Sequence, residues 1–170
     1  MFNPKEYSKP EIEQFLGVAH EAIRDLRHCW LATRSEDGGA NARLIDVRHP
    51  TAPGDDRWTR RALVRRGSRK VREIAAHPRV TLAFQHPSGD RYVALGGIAT
   101  LSDDSAEIQA LWSGEIDAEL PPGWALANLI VLRVDVDRVE LHARGITPGP
   151  WGTGRTLLQR IGPDWRYVPY

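Results

Sequence analysis

Residues 57–72 contain eight basic side chains and no acidic one: Arg57, Arg60, Arg61, Arg65, Arg66, Arg69, Lys70 and Arg72. Inside this run, Gly67-Ser68-Arg69-Lys70 opens a short helix expected over 68–76, with Val71, Ile74 and Ala75 on one face and Pro78 as its stop. Ser68 is placed to cap it by accepting from a backbone N–H near Val71. A helix start carries partial positive charge and ordinarily attracts Asp or Glu. Here its first two positions are Arg69 and Lys70. A bound anion resolves the conflict, because free amides, a hydroxyl, a guanidinium and an ammonium then converge on one ligand. A phosphate monoester is the natural choice. The plain alternative is a solvated basic face.

A second constellation is Arg43-Leu44-Ile45-Asp46-Val47-Arg48. Period-2 alternation puts Arg43, Ile45 and Val47 on one face of a strand and Leu44, Asp46 and Arg48 on the other. The arginines can pair with surface carboxylates. Arg43 can equally approach the phosphate expected at Arg69 and Lys70, if this strand lies beside that helix start.

Other chemistries find little support. His20, His28, His49, His77, His86 and His142 show no metal-ligand spacing. No Walker loop, nucleophile elbow or paired-histidine helix occurs. Cys29 is the sole cysteine, which excludes an internal disulfide and a cysteine zinc cluster and fits a reducing, cytoplasmic setting. Lys and Arg total 23 against 22 Asp and Glu, a formal charge of +1, so a globally basic nucleic-acid binder is disfavoured. No apolar run is long enough to span a bilayer. The first ten residues, with Lys5, Glu6 and Lys9, do not read as a secretory signal.

The elements that must position these residues follow from pattern. A chain of 170 residues, 41% hydrophobic, suits a single domain over 1–170. Residues 10–28 read as an N-terminal helix, with Ile12, Phe15, Leu16, Ala19, Ile23 and Leu26 at helical spacing. Strands are expected at 29–33 and 42–48 around a Glu36-Asp37-Gly38-Gly39 turn, and at 58–64, 79–84 and 91–101. Gly96-Gly97 inside the last marks a bulge or a sharp barrel bend. A helix capped by Ser102 or Asp103 should run to about 112. Strands near 129–134 and 138–142 follow, with a further one at 165–168. About seven strands, three helices and hairpin-length connections describe an α+β fold, a small antiparallel barrel with peripheral helices. A doubly wound parallel sheet is disfavoured, because it needs a crossover helix between most neighbouring strands.

The segment GSRKVREIAAHPRVTLAF (67–84) resembles the most recognisable stretch of the pyridoxamine 5′-phosphate oxidase-like flavoproteins, whose fold is the FMN-binding split barrel. The strand with Arg43 and Arg48 before it, RYVALGG after it, and Arg138-Val139-Glu140 leading towards Arg155 continue the resemblance over about 29–170. The resemblance implies that Arg43, Ser68, Arg69 and Lys70 surround the FMN phosphate. It places Leu44, Ile45, Asp46 and Val47 behind the flavin ring, Arg48 near its reactive edge, and Leu63 and Val64 where backbone meets flavin. Tyr92 stands where the family usually has a glutamine reaching the cofactor from the partner subunit. His142 stands near a family tryptophan, and Arg155 matches an arginine contacting the flavin across a homodimer. The true oxidase binds its vitamin phosphate with an Arg-x-His pair, replaced here by Trp151-Gly152-Thr153, and with a longer middle segment, shortened here to about 108–123. The implied protein is therefore an FMN-dependent oxidoreductase related to that oxidase, a homodimer acting on another small molecule. Two further readings stand beside it: a flavin-binding stress or sensor module without turnover, and nucleic-acid binding through 57–72. Relatives of the fold also carry deazaflavin or haem.

Overall fold

A computed structural model describes residues 7–50, 52–112, 120–147 and 156–168. The first helix, α1 (Lys9–Ile23), buries Ile12, Phe15, Leu16, Ala19 and Ile23 as its spacing requires. At its start the Glu11 carboxylate accepts from the amide and hydroxyl of Ser8, at 2.9 and 2.8 Å. It ends five residues before the expected boundary. The Leu26 amide folds back onto the Ile23 carbonyl, and the Arg27 carbonyl accepts from the Val47 amide instead of continuing the helix.

Strands β1 (His28–Arg34) and β2 (Ala40–Asp46) form the expected antiparallel hairpin, in register from His28–Asp46 to Arg34–Ala40. Its turn closes through Ser35 and Gly39, with Gly38 at φ +87°. Next come β3 (Arg60–Arg65), α2 (Arg69–Ala76), β4 (Arg79–Gln85) and β5 (Arg91–Ser102). After α3 (Ser105–Leu111) and α4 (Trp124–Asn128), the chain finishes with β6 (Leu129–Ala143), β7 (Thr156–Ile161) and β8 (Asp164–Tyr167).

The strands run in the order β2-β1-β4-β5-β6-β7-β8, with β3 paired to β6. A two-bond bridge between Arg48 and Arg61, at 2.6 and 3.2 Å, brings β3 back to the end of β2. Six strands thus close into a barrel, while β7 and β8 extend the sheet from the other half of β6. This is the expected antiparallel split barrel with helices at its periphery. Its interior is filled by side chains such as Leu31, Leu82, Leu95, Leu132, Val139 and Leu141. A satellite cluster of Ile108, Leu111 and Val131 lies under α3.

Residues 129–134 and 138–142, expected as two strands, are one. Asp135 and Asp137 read as a polar break, but both point outward from a bulged strand. Asp135 accepts from Arg133 at 2.9 Å, and Asp137 from Arg79 at 2.7 and 3.0 Å. The bulge faces Gly96 and Gly97, where the register shifts as expected. A Cβ on Gly97 would lie 2.4 Å from the Asp135 carbonyl oxygen, so only glycine admits this approach. Strand β7 and helix α4 were not expected. The Thr156–Ile161 segment lacks clean alternation, and pairing with both β6 and β8 organises it. The short α4 starts on Gly123 at φ +77° and packs against α3.

Candidate functional site

Helix α2 begins where β3 leaves the barrel wall, and it packs on β1 and β5. Its N-cap, Ser68, has the expected extended backbone (φ −74°, ψ 155°). The expected side-chain cap is not made. The Ser68 carbonyl accepts from the amides of Val71 and Arg72, whereas its Oγ is buried without a hydrogen-bond partner. The first turn of α2 holds no acidic residue. The amides of Arg69 and Lys70 have no acceptor within the helix, as geometry demands for its first residues. Burial and the nearby Arg43 charge hold the Lys70 ammonium below its ordinary pKa. Among the described residues no carboxylate pairs with it.

Arg43 reaches this corner from β2, on the inward face with Ile45 and Val47, as the alternation requires. Its guanidinium donates to the Leu31 carbonyl at 3.3 Å, to Thr33 Oγ1, and to Glu73 Oε2 at 2.8 Å. Glu73 is a residue that the sequence patterns did not single out. It lies on α2, is only 2% exposed, and also accepts from Thr33 Oγ1 and Asn41 Nδ2, each at 2.6 Å. Arg69 Nε stands 3.5 Å from its other oxygen. Burial pushes this carboxyl up, but the hydrogen bonds from Thr33, Arg43 and Asn41 together hold it below the ordinary range. The available clue was composition: Glu73 is the sole acid in residues 57–76. Clefts flank the start of α2. One of about 550 Å³ is bordered by Arg65, Arg66, Ser68 and Asn128, and one of about 420 Å³ by Arg69, Glu73 and the β1–β2 turn.

At the other end of the same strand, Leu44, Asp46 and Arg48 face outward. Asp46 accepts from Arg27 at 2.9 Å, and Arg48 stands 3.6 Å away. Asp46 and Arg48 border a pocket of about 290 Å³ whose walls are Leu63, Leu111, Trp112, Trp124 and neighbouring leucines. Of the two β3 candidates, Leu63 lines this pocket while Val64 is buried in the barrel. Ile45 and Val47 are likewise buried, so they can meet a ligand on the outer face only through backbone.

The structure therefore gathers Arg43, Ser68, Arg69 and Lys70 at one corner and Asp46, Arg48 and Leu63 around one pocket. It does not bring Tyr92 and His142 to either place within one chain. These two stack on each other across β5 and β6, with ring centroids 5.3 Å apart, and β1 and β4 separate them from β2. Trp151 and Arg155 lie outside the described residues. The basic run is not one face either. Arg60 and Arg61 are buried, Arg61 bonds Asp55, Arg66 reaches Asp103, and Arg57 reaches Glu13. A continuous cationic surface for nucleic acid over 57–72 is thereby lost. Among the described residues no cluster of potential metal ligands occurs, and no helix is long and apolar enough to cross a membrane.

Solved structures with the same fold include a protein related to general stress protein 26 from Clostridium acetobutylicum. It is 15% identical with a TM-score of 0.68, over 86% of this chain and 95% of that one. A pyridoxamine 5′-phosphate oxidase-related, FMN-binding protein from Nostoc punctiforme is 18% identical with a TM-score of 0.59, over 91% and 95%. PhzG from Burkholderia lata is also 18% identical, with a TM-score of 0.62 over 98% and 93%. No curated protein matches the chain. A family profile described as pyridoxamine 5′-phosphate oxidase like matches residues 16–144, most of the barrel and both clusters just described. The chain belongs to the pyridoxamine 5′-phosphate oxidase-like family.

Proposed function

We propose that this protein binds FMN, with the phosphate at the start of α2, and uses it as an oxidoreductase on a small molecule other than the vitamin phosphate. The observation that carries the reading is the start of α2, where the N-cap Ser68 Oγ is buried without a partner and Lys70, two residues on, is an ammonium with no carboxylate partner among the described residues. A phosphate monoester supplies acceptors to both. It also fits the charge: Arg43, Arg69 and Lys70 against Glu73 leave two positive charges, and such a phosphate carries about −1.5 to −2 at neutral pH. The extended chain from Arg43 in β2 to Arg48 just beyond it then spans roughly 16 Å, which suits an elongated ligand laid along it. When bound, a flavin supplies hydride and electron chemistry. The chain's own part is to anchor the phosphate with Arg43, Ser68, Arg69 and Lys70, and to offer a largely apolar pocket beside Asp46 and Arg48.

An exposed apolar pair supports a homodimer. Trp30 and Leu44, cross-strand neighbours on the outer face of β1 and β2, are 55% and 57% exposed, an apolar pair that a second copy would cover. Tyr92, His142 and Arg155 would then act on the partner's flavin, a role the first two cannot reach within their own chain.

Titrating the purified protein with FMN and with riboflavin tests the reading. FMN should bind, quench its fluorescence and bind far more tightly than riboflavin. Equal affinities would sink the phosphate assignment, and preference for a deazaflavin would change the cofactor. A flavin-binding stress module without turnover is favoured by one observation, the likeness to a protein related to general stress protein 26. Adding NADPH and oxidisable amines to the loaded protein separates the two: loss of the oxidised-flavin colour supports an enzyme, and persistent colour the sensor.

A further inference from the structure

We infer that Glu73 is the positioning residue of the anion site, and that it strengthens phosphate binding although it carries the same sign of charge as the ligand. The inference rests on the FMN reading above and concerns a residue outside the set that touches the ligand. Its basis is the placement of one carboxylate behind the cations. Glu73 is 2% exposed and sits on the second turn of α2, beneath the cluster. One oxygen accepts from Arg43 at 2.8 Å and from Thr33 at 2.6 Å, and the other accepts from Asn41 at 2.6 Å and faces Arg69 Nε at 3.5 Å. A single buried group thus ties β1, β2 and α2 together through Thr33, Asn41 and both arginines.

The geometry has two consequences of opposite sign. As a bare charge, Glu73 lowers the positive potential felt by an anion and should weaken its binding. As a clamp, it fixes Arg43 in one orientation, so the guanidinium loses little freedom when the ligand arrives. Without it, Arg43 and Lys70 would face each other with no compensating charge beneath them, and their repulsion would spread them apart. The four contacts to a nearly inaccessible carboxylate, held ionised by its donors, favour the clamp. Preorganised donors outweigh a modest loss of field where the ligand is met by directional hydrogen bonds.

The substitution Glu73→Gln separates the two, because it keeps the shape and removes the charge. The clamp predicts that FMN affinity falls about tenfold, while the affinity for riboflavin, which lacks the phosphate, is unchanged. A charge-only role predicts tighter FMN binding, and that result, or an unchanged affinity, would overturn the inference. A pH series gives a second readout. As pH falls below the ordinary carboxylate range and through the lowered value of Glu73, wild-type affinity should fall more steeply than that of Glu73→Gln, since only the wild type has this carboxylate to protonate. Parallel profiles would count against the clamp. Asn41→Ala, which removes one donor to Glu73 without touching the cations, should move FMN affinity in the same direction by a smaller factor, and keeps the test open if Glu73→Gln fails to fold. Failure of the wild type itself to bind FMN would instead remove the cofactor reading on which the inference rests.

Discussion

The two halves of the basic run behave in opposite ways. In the first half the fold consumes the charge. Arg61 is bound by Asp55 through two nitrogens at 2.9 and 3.0 Å, with Glu107 at 3.5 Å. Arg60, 1% exposed, donates to the carbonyls of Arg57 and Thr59, and burial brings it down to about 10. Arg57 lies over the Trp58 ring and near Glu13. In the second half Arg66 still reaches Asp103, but Arg65, Arg69 and Arg72 border open clefts and one carboxylate, Glu73, is set behind Arg69. A count of cations along a sequence therefore says little about a ligand until their partners are known. What distinguishes the start of α2 is a Lys70 ammonium with no carboxylate partner among the described residues and the presence of Glu73 beneath Arg43 and Arg69.

This contrast can be broken most directly at Arg61. Arg61→Met leaves Asp55 buried without its main partner and should cost about 3 kcal/mol or more of stability, read by denaturant unfolding. FMN affinity of the folded protein should be unchanged. Lys70→Met is its mirror image. FMN affinity should drop about 10- to 100-fold in a binding titration, the loss of one or two charged hydrogen bonds. Apoprotein stability should hold or rise, because a desolvated ammonium without a partner has been removed. Inorganic phosphate should raise the melting temperature of the wild type and fail to do so for Lys70→Met.

Acid sharpens the same comparison. Glu73 has a lowered pKa in the folded state, so its stabilisation is fully present above the ordinary carboxylate range and is lost as pH falls through its lowered value. Unfolding followed from pH 6 to pH 2 should show this loss in the wild type and a smaller one in Asn41→Ala. The smallest effect is expected at Arg57. Its pair with Glu13 is exposed, so Arg57→Met should cost under about 1 kcal/mol in thermal unfolding and leave FMN affinity alone.

Much of this was readable from the chain. Period 2 placed Arg43, Ile45 and Val47 on one face and Leu44, Asp46 and Arg48 on the other. The Gly96-Gly97 pair marked the bulge, and the Gly-Ser-Arg-Lys segment marked the start of α2. These are local properties, set by backbone geometry within a few residues, and local patterns report them faithfully. The misses lie where packing between elements decides the outcome. Ser68 was expected to cap α2, yet its hydroxyl is left free where a ligand is proposed. Residues 135–137 looked like a break until Arg79, 58 residues away, supplied a partner for Asp137. The Thr156–Ile161 strand needed its neighbours on both sides. The last two depend on partners outside the segment itself.

By itself, then, the sequence determined an antiparallel barrel with a helix that starts on Ser-Arg-Lys, since helix starts, strand alternation and glycine bends are short-range consequences of residue type. Tertiary structure alone decided which cations remain available. Arg60 and Arg61 are enclosed when the bridge to Arg48 closes the barrel, while Glu73 comes beneath Arg43 only when α2 packs on β1. Electrostatic pairing acts through space between elements, and only the closed barrel sets those distances.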